Sequence, residues 1–163
     1  MCDNLKTSES MIAVIKKFEG LRLSVYLCPA GVQTIGYGHT RNFKFSENYK
    51  ITEEQAEKFL HEDLKKFENS IKKLVKVPLT QNQFDALVSL VFNIGATNLK
   101  NSTLLKYLNN GEYSLAAEQF ERWIYSNGKK LDGLLTRRKA EKEIFLHGKY
   151  LKILRVSKNA YNL

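Results

Sequence analysis

The chain has 163 residues, of which 43% are hydrophobic and 26% are charged, a balance that is typical of a globular protein of one domain. No stretch approaches the roughly 20 consecutive apolar residues that cross a bilayer, so stable membrane insertion is not expected. The net charge of +9 favours polyanionic partners, namely nucleic acid, an anionic membrane or a bacterial wall with its carboxylates and phosphates. A basic surface that serves only solubility explains the charge equally well.

The first ten residues are polar and lack the apolar segment of a secretory signal. We therefore expect synthesis and folding in a cytoplasm, with an outside factor for any export. Cys2 and Cys28 do not have the spacing of a disulfide framework or of a metal site, and the three histidines are scattered. No metal, no cofactor and no Ser-His-Asp or Cys-His catalytic set is predicted.

The N-terminal part of the chain predicts one helix followed by a small sheet. Apolar residues recur at helical spacing between residues 8 and 18, and Gly20 ends the helix. Residues 23–28 alternate in character as a strand with two different faces does, a Pro-Ala-Gly turn follows, and residues 32–37 form the return strand. Residues 41–50 are expected to form a third edge strand or a loop.

The remainder of the chain predicts helices. A capping box at Thr52 opens a helix over residues 52–75 that is long enough to join two lobes. A second capping box at Thr80 opens a helix that reaches Ile94 and has hardly any polar side, so we expect it at the centre of a helical lobe. Further helices are predicted at 102–109, 114–126, 133–147 and 150–156, the last of which packs back across the lobes.

These elements predict an α+β fold, with a small N-terminal β-hairpin or sheet lobe and a larger all-helical C-terminal lobe joined by a long helix. We expect a single domain over residues 1–163. Its parts are expected at about 12–62 for the N-terminal lobe, about 52–75 for the linking helix, and about 76–163 with 1–11 for the helical lobe.

Glu19 is the first candidate catalytic residue, because it lies between an apolar helix and Gly20. Partial desolvation at this place would favour its protonated form, which can donate a proton near neutral pH. An ordinary exposed glutamate at a helix end is the alternative interpretation.

Thr34 and Cys28 are the next candidates. Ser24, Tyr26 and Cys28 share one face of the first strand, and the return strand can place Thr34 on the same face. A hydroxyl and a thiol would then face the space below Glu19. Taken singly, a threonine is common in strands, and a lone cysteine is usually a small buried residue.

Glycines, aromatic residues and polar residues surround these candidates in the order Glu19-Gly20, Tyr26, Gly31 and Thr34-Ile35-Gly36-Tyr37-Gly38-His39. Later segments are Phe92-Asn93-Ile94-Gly95, Ser102-Thr103-Leu104-Leu105, Leu108-Asn109-Asn110-Gly111, Trp123, Gly133-Leu134 and Arg137-Arg138-Lys139-Ala140-Glu141. In these segments, over nearly all of residues 8–148, the chain resembles the phage-type lysozymes, or endolysins, of glycoside hydrolase family 24.

The resemblance implies hydrolysis of the β-1,4 bond between N-acetylmuramic acid and N-acetylglucosamine in bacterial peptidoglycan. The family's catalytic set is a glutamate, an acid nine residues later and a threonine six residues after that, and these positions hold Glu19, Cys28 and Thr34. Glu19 would then be the general acid, while Cys28 and Thr34 would position or activate water. Because a cysteine replaces the usual aspartate, its sulfur could be base, nucleophile or water-holder, and the inverting or retaining outcome stays open.

The same resemblance implies a set of substrate-binding residues, which are Thr40, Phe92, Ser102, Thr103 and Gln119. Phe92 fits equally well as a core residue of its helix, and the serine, the later threonine and the glutamine fit as caps or surface residues. A structural ion pair between His39 and Asp63, with no catalytic part, is also expected.

Peptidoglycan is thus the expected partner, nucleic acid is not, and the protein is expected to be a monomer. It would accumulate in the host bacterial cytoplasm and act on the wall in the periplasm after release by a holin-type partner. The cysteine at position 28 favours one alternative, a catalytically weakened lysozyme-like protein that binds peptidoglycan. The charge alone favours another, a nucleic-acid-binding domain, which no recognisable motif supports.

Overall fold

The computed structural model describes residues 4–28, 30–40, 44–46 and 48–155. Helix α1 (Glu9–Glu19) leads into an antiparallel sheet of β1 (Arg22–Leu27), β2 (Gln33–Gly36) and β3 (His39–Thr40), in that order across the sheet. The helices that follow are α2 (Glu53–Leu74), α3 (Gln81–Ile94), α4 (Ala96–Lys100), α5 (Thr103–Asn109) and α6 (Tyr113–Glu118). A 3₁₀ helix (Gln119–Arg122), a hairpin of β4 (Tyr125–Ser126) and β5 (Lys129–Lys130), α7 (Asp132–His147) and α8 (Tyr150–Arg155) complete the described chain.

Helix α1 has well-defined ends. The Ser8 hydroxyl accepts a hydrogen bond from the Met11 amide at 3.2 Å, which satisfies one of the free N–H groups of the first turn. Gly20 ends the helix with φ +68°, in the left-handed region that glycine adopts without a steric penalty. The end of α1 therefore lies directly before the sheet, and Glu19 is its last helical residue.

Helix α2 connects two hydrophobic clusters. Its 22 residues span about 33 Å, and the predicted capping box forms between Thr52 and Gln55. The small cluster lies under the sheet and consists of Ile35, Phe45, Ile51, Ala56 and Phe59. The large cluster takes in Leu60, Leu64 and Ile71 of the same helix together with residues of α1, α3, α5, α6, α7 and α8.

Helix α3 is the centre of the large cluster, as its apolar sequence predicts. Every residue from Phe84 to Val91 is buried, and this run includes the polar Asp85 and Ser89. The helix packs against α1, α2 and α7. Buried polar groups need partners, and those of Ser89 lead to the candidate active site described below.

The α+β fold expected from the sequence is confirmed by the structure, and so are the long helix α2 and the central helix α3. Helix α8 packs against α1 as expected: Ile153 joins the large cluster, and Lys17 Nζ donates to the carbonyl oxygens of Ile153 and Leu154 at 2.9 and 2.8 Å. Among the described residues, no helix has both the length and the apolar content to cross a membrane.

The helix predicted over 114–126 is wrong in its second half. Helix α6 ends at Glu118, and the chain then forms the 3₁₀ helix and the β4–β5 hairpin. Asn127 and Gly128 form the turn with φ of 50° and 76°, the left-handed pair that a tight hairpin requires. The Asn-Gly pair, which lies between the helices predicted over 114–126 and 133–147, is thus the turn of a hairpin. The short helix α4 was also not predicted.

The strands differ from the expected pattern in detail. Val25 packs against the small cluster, whereas Leu23 and Leu27 are 37% and 67% exposed. The register of β1 against β2 shifts between Arg22 and Tyr26, and a cluster this small covers only part of the strand. The expected third strand is shorter and earlier, at His39–Thr40, while Lys50 makes an isolated bridge to Ser24; residues 41–43 and 47 lie outside the described residues.

Candidate active site

The Glu19 side chain is held by an arginine from the far end of the chain. Its Oε1 accepts a hydrogen bond from Arg137 Nη1 at 2.7 Å, and the side chain is 17% exposed. The Arg137 guanidinium also lies over the Phe18 ring, 4.8 Å from its centroid. Because the guanidinium is planar and rigid, this contact fixes the direction of the carboxyl group as well as its electrostatic surroundings.

Arg137 belongs to a buried polar network between α3 and α7. Its Nε donates to Glu141 Oε1 at 3.0 Å and its Nη2 donates to the Ser89 carbonyl at 3.1 Å, while the Ser89 hydroxyl donates to Glu141 at 2.6 Å. Arg138 donates to the same Glu141 oxygen at 3.1 Å and to Asn93 Oδ1 at 3.1 Å. Arg137, Arg138 and Glu141 have no exposed surface. Two carboxylates and two guanidinium groups thus balance each other.

Both arginines of the network stay charged at neutral pH. Burial acts to lower the pKa of Arg137, but the carboxylates of Glu19 and Glu141 outweigh it, so that this pKa is raised. Burial lowers the pKa of Arg138 to about 10 because Glu141 compensates only in part and Arg137 repels it. The network therefore places a permanent positive charge against Glu19.

Gly38 lies beside the other carboxyl oxygen of Glu19, and Phe92 lies beside Gly38. A Cβ atom on Gly38 would lie 3.3 Å from Glu19 Oε2 and 3.8 Å from Phe92 Cε1, and the φ of this glycine is +87°. Phe92 is partly buried and packs edge-on against Phe67, with ring centroids 5.5 Å apart. The phenylalanine thus packs on the large cluster with one ring edge beside Gly38, and its part in substrate binding remains a prediction.

The sheet places two of the expected site residues, Thr34 and Thr40, in one row with Tyr26. Tyr26 lies opposite Thr34, and Thr34 lies opposite Thr40, so these residues share a face. Thr34 is only 3% exposed and its hydroxyl donates to the Val32 carbonyl at 3.0 Å, whereas Thr40 is exposed. The sheet therefore brings the candidate threonine beside Tyr26, a residue to which sequence reasoning gave no role.

Cys28 follows β1 as a free, half-buried cysteine in a tight turn. Its amide donates to the Val32 carbonyl at 3.0 Å, and the Gly31 amide donates to the Cys28 carbonyl at 2.8 Å. Burial acts to raise the pKa of the Cys28 thiol, but hydrogen bonds from the Val32 and Ala30 amides and from the Thr34 hydroxyl outweigh it, so that the pKa is lowered. The Thr34 hydroxyl carries one proton, so donation to Val32 and donation to the sulfur are alternatives.

Both Glu19 and Cys28 affect the pKa of Tyr26. Burial raises the pKa of the Tyr26 phenol, the negative charges of Glu19 and Cys28 raise it further, and Arg22 partly offsets them. Glu19 and Cys28 are thus both close enough to Tyr26 to act on its phenol electrostatically.

The remaining candidates are less closely connected to this centre. Ser102 caps α5: its hydroxyl accepts from the Leu105 amide at 3.0 Å and donates to the Leu99 carbonyl at 2.7 Å. Thr103 is exposed at the start of α5, and Gln119 Oε1 accepts from Arg122 Nη1 at 3.2 Å. Among the described residues, these three form no hydrogen bond with Glu19, and they remain predicted substrate-binding residues.

The predicted pair of His39 and Asp63 is present, with Nδ1 and Oδ2 2.8 Å apart. The His39 ring stacks on Phe59 at 4.5 Å between centroids. The pair joins β3 to α2 and therefore belongs to the support of the sheet.

Sequence reasoning missed the network of Arg137, Arg138, Glu141 and Ser89. A run such as Arg-Arg-Lys-Ala-Glu usually indicates a solvated helix face, and only the tertiary fold shows that two of its charges point inward. A weak signal was present: Arg137 and Glu141 are spaced i, i+4 on one helix, and a partly buried Glu19 needs a cationic partner. Groups of His, Cys, Asp or Glu that could hold a metal ion do not occur in the described part of the chain.

Comparison with known proteins identifies the family to which the chain belongs. The family model "Phage lysozyme" matches residues 16–141. An endolysin of Acyrthosiphon pisum secondary endosymbiont phage 1 is 51% identical over 142 residues, which cover 85% of this chain and 96% of that protein.

Two solved structures resemble the fold closely. The endolysin from Escherichia coli O157:H7 phage FAHEc1 superposes with a TM-score of 0.81 at 42% identity, covering 90% of this chain and 97% of the other. The muramidase domain of SpmX from Asticaccaulis excentricus superposes with a TM-score of 0.79 at 41% identity, covering 88% and 99%. The chain therefore belongs to the phage lysozyme family and is a glycoside hydrolase of the lysozyme type that cleaves peptidoglycan.

Proposed function

We propose that Glu19 is the general acid for cleavage of the β-1,4 bond between N-acetylmuramic acid and N-acetylglucosamine. We also propose that Cys28 and Thr34 position or activate the attacking water. The observation that supports this best is the position of Glu19, which Arg137 holds at 2.7 Å beside Gly38, in the turn that joins β2, the strand of Thr34, to β3. The general acid then belongs to α1, whereas Cys28 and Thr34, which position or activate the water, belong to the β1–β2 hairpin.

In the proposed first event, the protonated Glu19 donates its proton to the glycosidic oxygen as the bond to the anomeric carbon breaks. The carboxylate that remains is stabilised by Arg137, which is fully buried and keeps its charge. Gly38 limits how far the carboxyl group can move, because it lies close to Glu19 Oε2.

In the proposed second event, water held between Cys28 and Thr34 attacks the anomeric carbon and gives its proton to the sulfur. The lowered pKa of Cys28 increases the fraction of thiolate that can accept this proton. Direct attack by water inverts the configuration, whereas attack by the sulfur itself would form a glycosyl-enzyme and retain it. The anomer of the first product therefore distinguishes the two routes.

The decisive experiment compares wild type with Glu19→Gln on permeabilised Gram-negative cells, following turbidity and the release of reducing ends. The glutamine keeps the shape but has no proton to donate, so we expect a loss of about two to four orders of magnitude in rate. Glu62→Gln, the same substitution at an exposed glutamate of α2, serves as the control. Equal lysis by wild type and Glu19→Gln would remove Glu19 from the acid role.

The pH dependence tests the role of Cys28. A thiolate base is absent below its pKa and present above it, so activity should rise with pH through the Cys28 pKa. Thr34→Val removes one hydrogen bond that lowers this pKa, so the rising limb should move to higher pH. Cys28→Asp should move it to lower pH because carboxylates titrate at lower pH. A Cys28→Ala variant with wild-type activity would exclude any chemical part for the sulfur.

We further propose that the chain acts as a monomeric, single lysozyme-like domain that is made in the host cytoplasm and reaches the wall through a holin-type partner. Expression in bacteria with and without a co-expressed membrane-perforating protein tests the route: lysis should require the partner. Lysis by the chain alone would show that it reaches the wall without help. Sedimentation at several concentrations tests the monomer, which should keep one mass throughout.

A further inference from the structure

An arginine next to the general acid is held in place by an aromatic ring. The Arg22 guanidinium carbon lies 4.7 Å from the centroid of the Tyr26 ring, within the range of a cation–π contact. Arg22 is exposed, and among the residues that the structure describes it forms no ion pair with a carboxylate. Its charge is therefore oriented by the protein and not neutralised by it.

The Arg22–Tyr26 pair borders the candidate active site. Arg22 follows Glu19 by three residues at the start of β1, and Tyr26 lies opposite Thr34 in the sheet. Tyr26 is half-buried, so its ring is fixed, whereas the guanidinium on top of it is open to solvent. A ligand bound between Glu19 and Thr34 would thus have this cation at its side.

A guanidinium that rests on an aromatic ring keeps its plane and presents its N–H groups to a ligand in a fixed direction. This arrangement suits a carboxylate, which can accept two parallel hydrogen bonds from one guanidinium. In peptidoglycan the sugar at the cleaved bond bears a peptide with free carboxylates, so a carboxylate is present close to the reacting atoms. An uncharged glycan would gain nothing from the same arginine.

We propose that Arg22, oriented by Tyr26, is a binding site for a carboxylate of the peptide attached to the substrate's N-acetylmuramic acid. This inference rests on the proposed function and extends it: the site would select wall strands whose peptides carry free carboxylates over strands whose peptides are amidated. Arg22 is thereby a specificity residue and takes no part in proton transfer.

The test measures binding with full-length protein that carries Glu19→Gln, so that the ligand is not cleaved. One ligand is a tetrasaccharide of the wall glycan with its peptides, and the other is the same molecule with its peptide carboxylates converted to amides. Adding Arg22→Gln should weaken binding of the first ligand about 5- to 10-fold, the range of a partly exposed charged contact, and leave binding of the second unchanged. Arg22→Lys should fall in between, because lysine keeps the charge and loses the paired geometry.

Lys58→Gln provides the matched control, since Lys58 is an exposed cation on α2 and its loss changes the net charge equally. It should affect neither ligand specifically. The proposal is overturned if the parent protein shows no preference for the free carboxylates, if Arg22→Gln weakens both ligands alike, or if Lys58→Gln reproduces its effect. Failure of the proposed function is a separate result, seen when Glu19→Gln lyses cells as wild type does.

Discussion

At the scale of single residues, Glu19 owes its position to groups from distant parts of the chain. Arg137 is 118 positions away and donates directly to its carboxyl group, and Gly38 leaves just enough space for it. The sequence near Glu19 identifies it as a candidate, but the hydrogen bond that fixes it comes from α7. Two substitutions separate these contributions.

Gly38→Ala should impair activity more than stability. Alanine is strained at φ +87°, at a cost of about 1–2 kcal/mol, and its methyl group would meet Glu19 Oε2 at 3.3 Å. Gly111→Ala is a matched control because Gly111 has φ +79° with nothing within 4 Å of the added atom. Urea unfolding should show similar losses for both variants, while the lysis rate should fall markedly only for Gly38→Ala. Equal lysis rates would mean that the carboxyl group adjusts freely.

Arg137→Met should be among the most destabilising single changes in this protein. It removes the cation from two carboxylates, one of them the fully buried Glu141, and breaking a buried ion pair costs about 3–5 kcal/mol. Lys139→Met, on an exposed position of the same helix, should change the free energy of unfolding by less than about 0.5 kcal/mol. Urea titrations of both variants measure the difference, and coincident midpoints would contradict the structural role of Arg137.

At the scale of elements, helix boundaries follow local chemistry, while the last helix depends on remote contacts. The capping boxes at Thr52 and Thr80 form as their sequences predict. Helix α8, by contrast, is only six residues long and is too short to be stable alone. It is held by Ile153 in the large cluster, by Lys17, and by the Tyr150 hydroxyl, which donates to the buried Asp85 at 2.7 Å.

Tyr150→Phe should loosen α8 without disturbing the active site. The substitution leaves Asp85 with the donors from Ser8 and Gln81 but without the tyrosine, and we expect a loss of about 1–3 kcal/mol. Tyr107→Phe is the control because no described residue hydrogen-bonds to the Tyr107 hydroxyl. Amide exchange at Ile153 should accelerate in Tyr150→Phe alone. Unchanged exchange would show that apolar packing is sufficient to hold the helix.

At the scale of the whole molecule, the net charge of +9 suits an enzyme whose substrate is an anionic wall. Screening shortens the range of this attraction from about 8 Å at 0.15 M salt to about 3 Å at 1 M. The rate of cell-wall lysis should therefore fall as sodium chloride is raised at constant pH. Hydrolysis of a short uncharged glycan should respond far less, and equal salt dependence of the two substrates would exclude a part for the overall charge.

The sequence by itself determined the features that depend on local order. Hydrophobic spacing and capping residues defined α1, α2, α3 and α7 to within a few positions, and the segment from Glu19 to His39 identified the family and its candidate residues. Its main error was also local: the helix predicted over 114–126 ends at Glu118, and Asn127-Gly128 turns a hairpin.

Only the tertiary structure decided which charged side chains are buried and which partners they have. Whether Arg137, Arg138 and Glu141 face water or the interior depends on which side of α7 packs against α3, and residues on the other helix supply that information. A charge is stable in the interior only if partners from elsewhere in the chain balance it. For this reason the sequence could identify Glu19 as a candidate acid, while the arginine that holds it and the arginine beside Tyr26 emerged only from the fold.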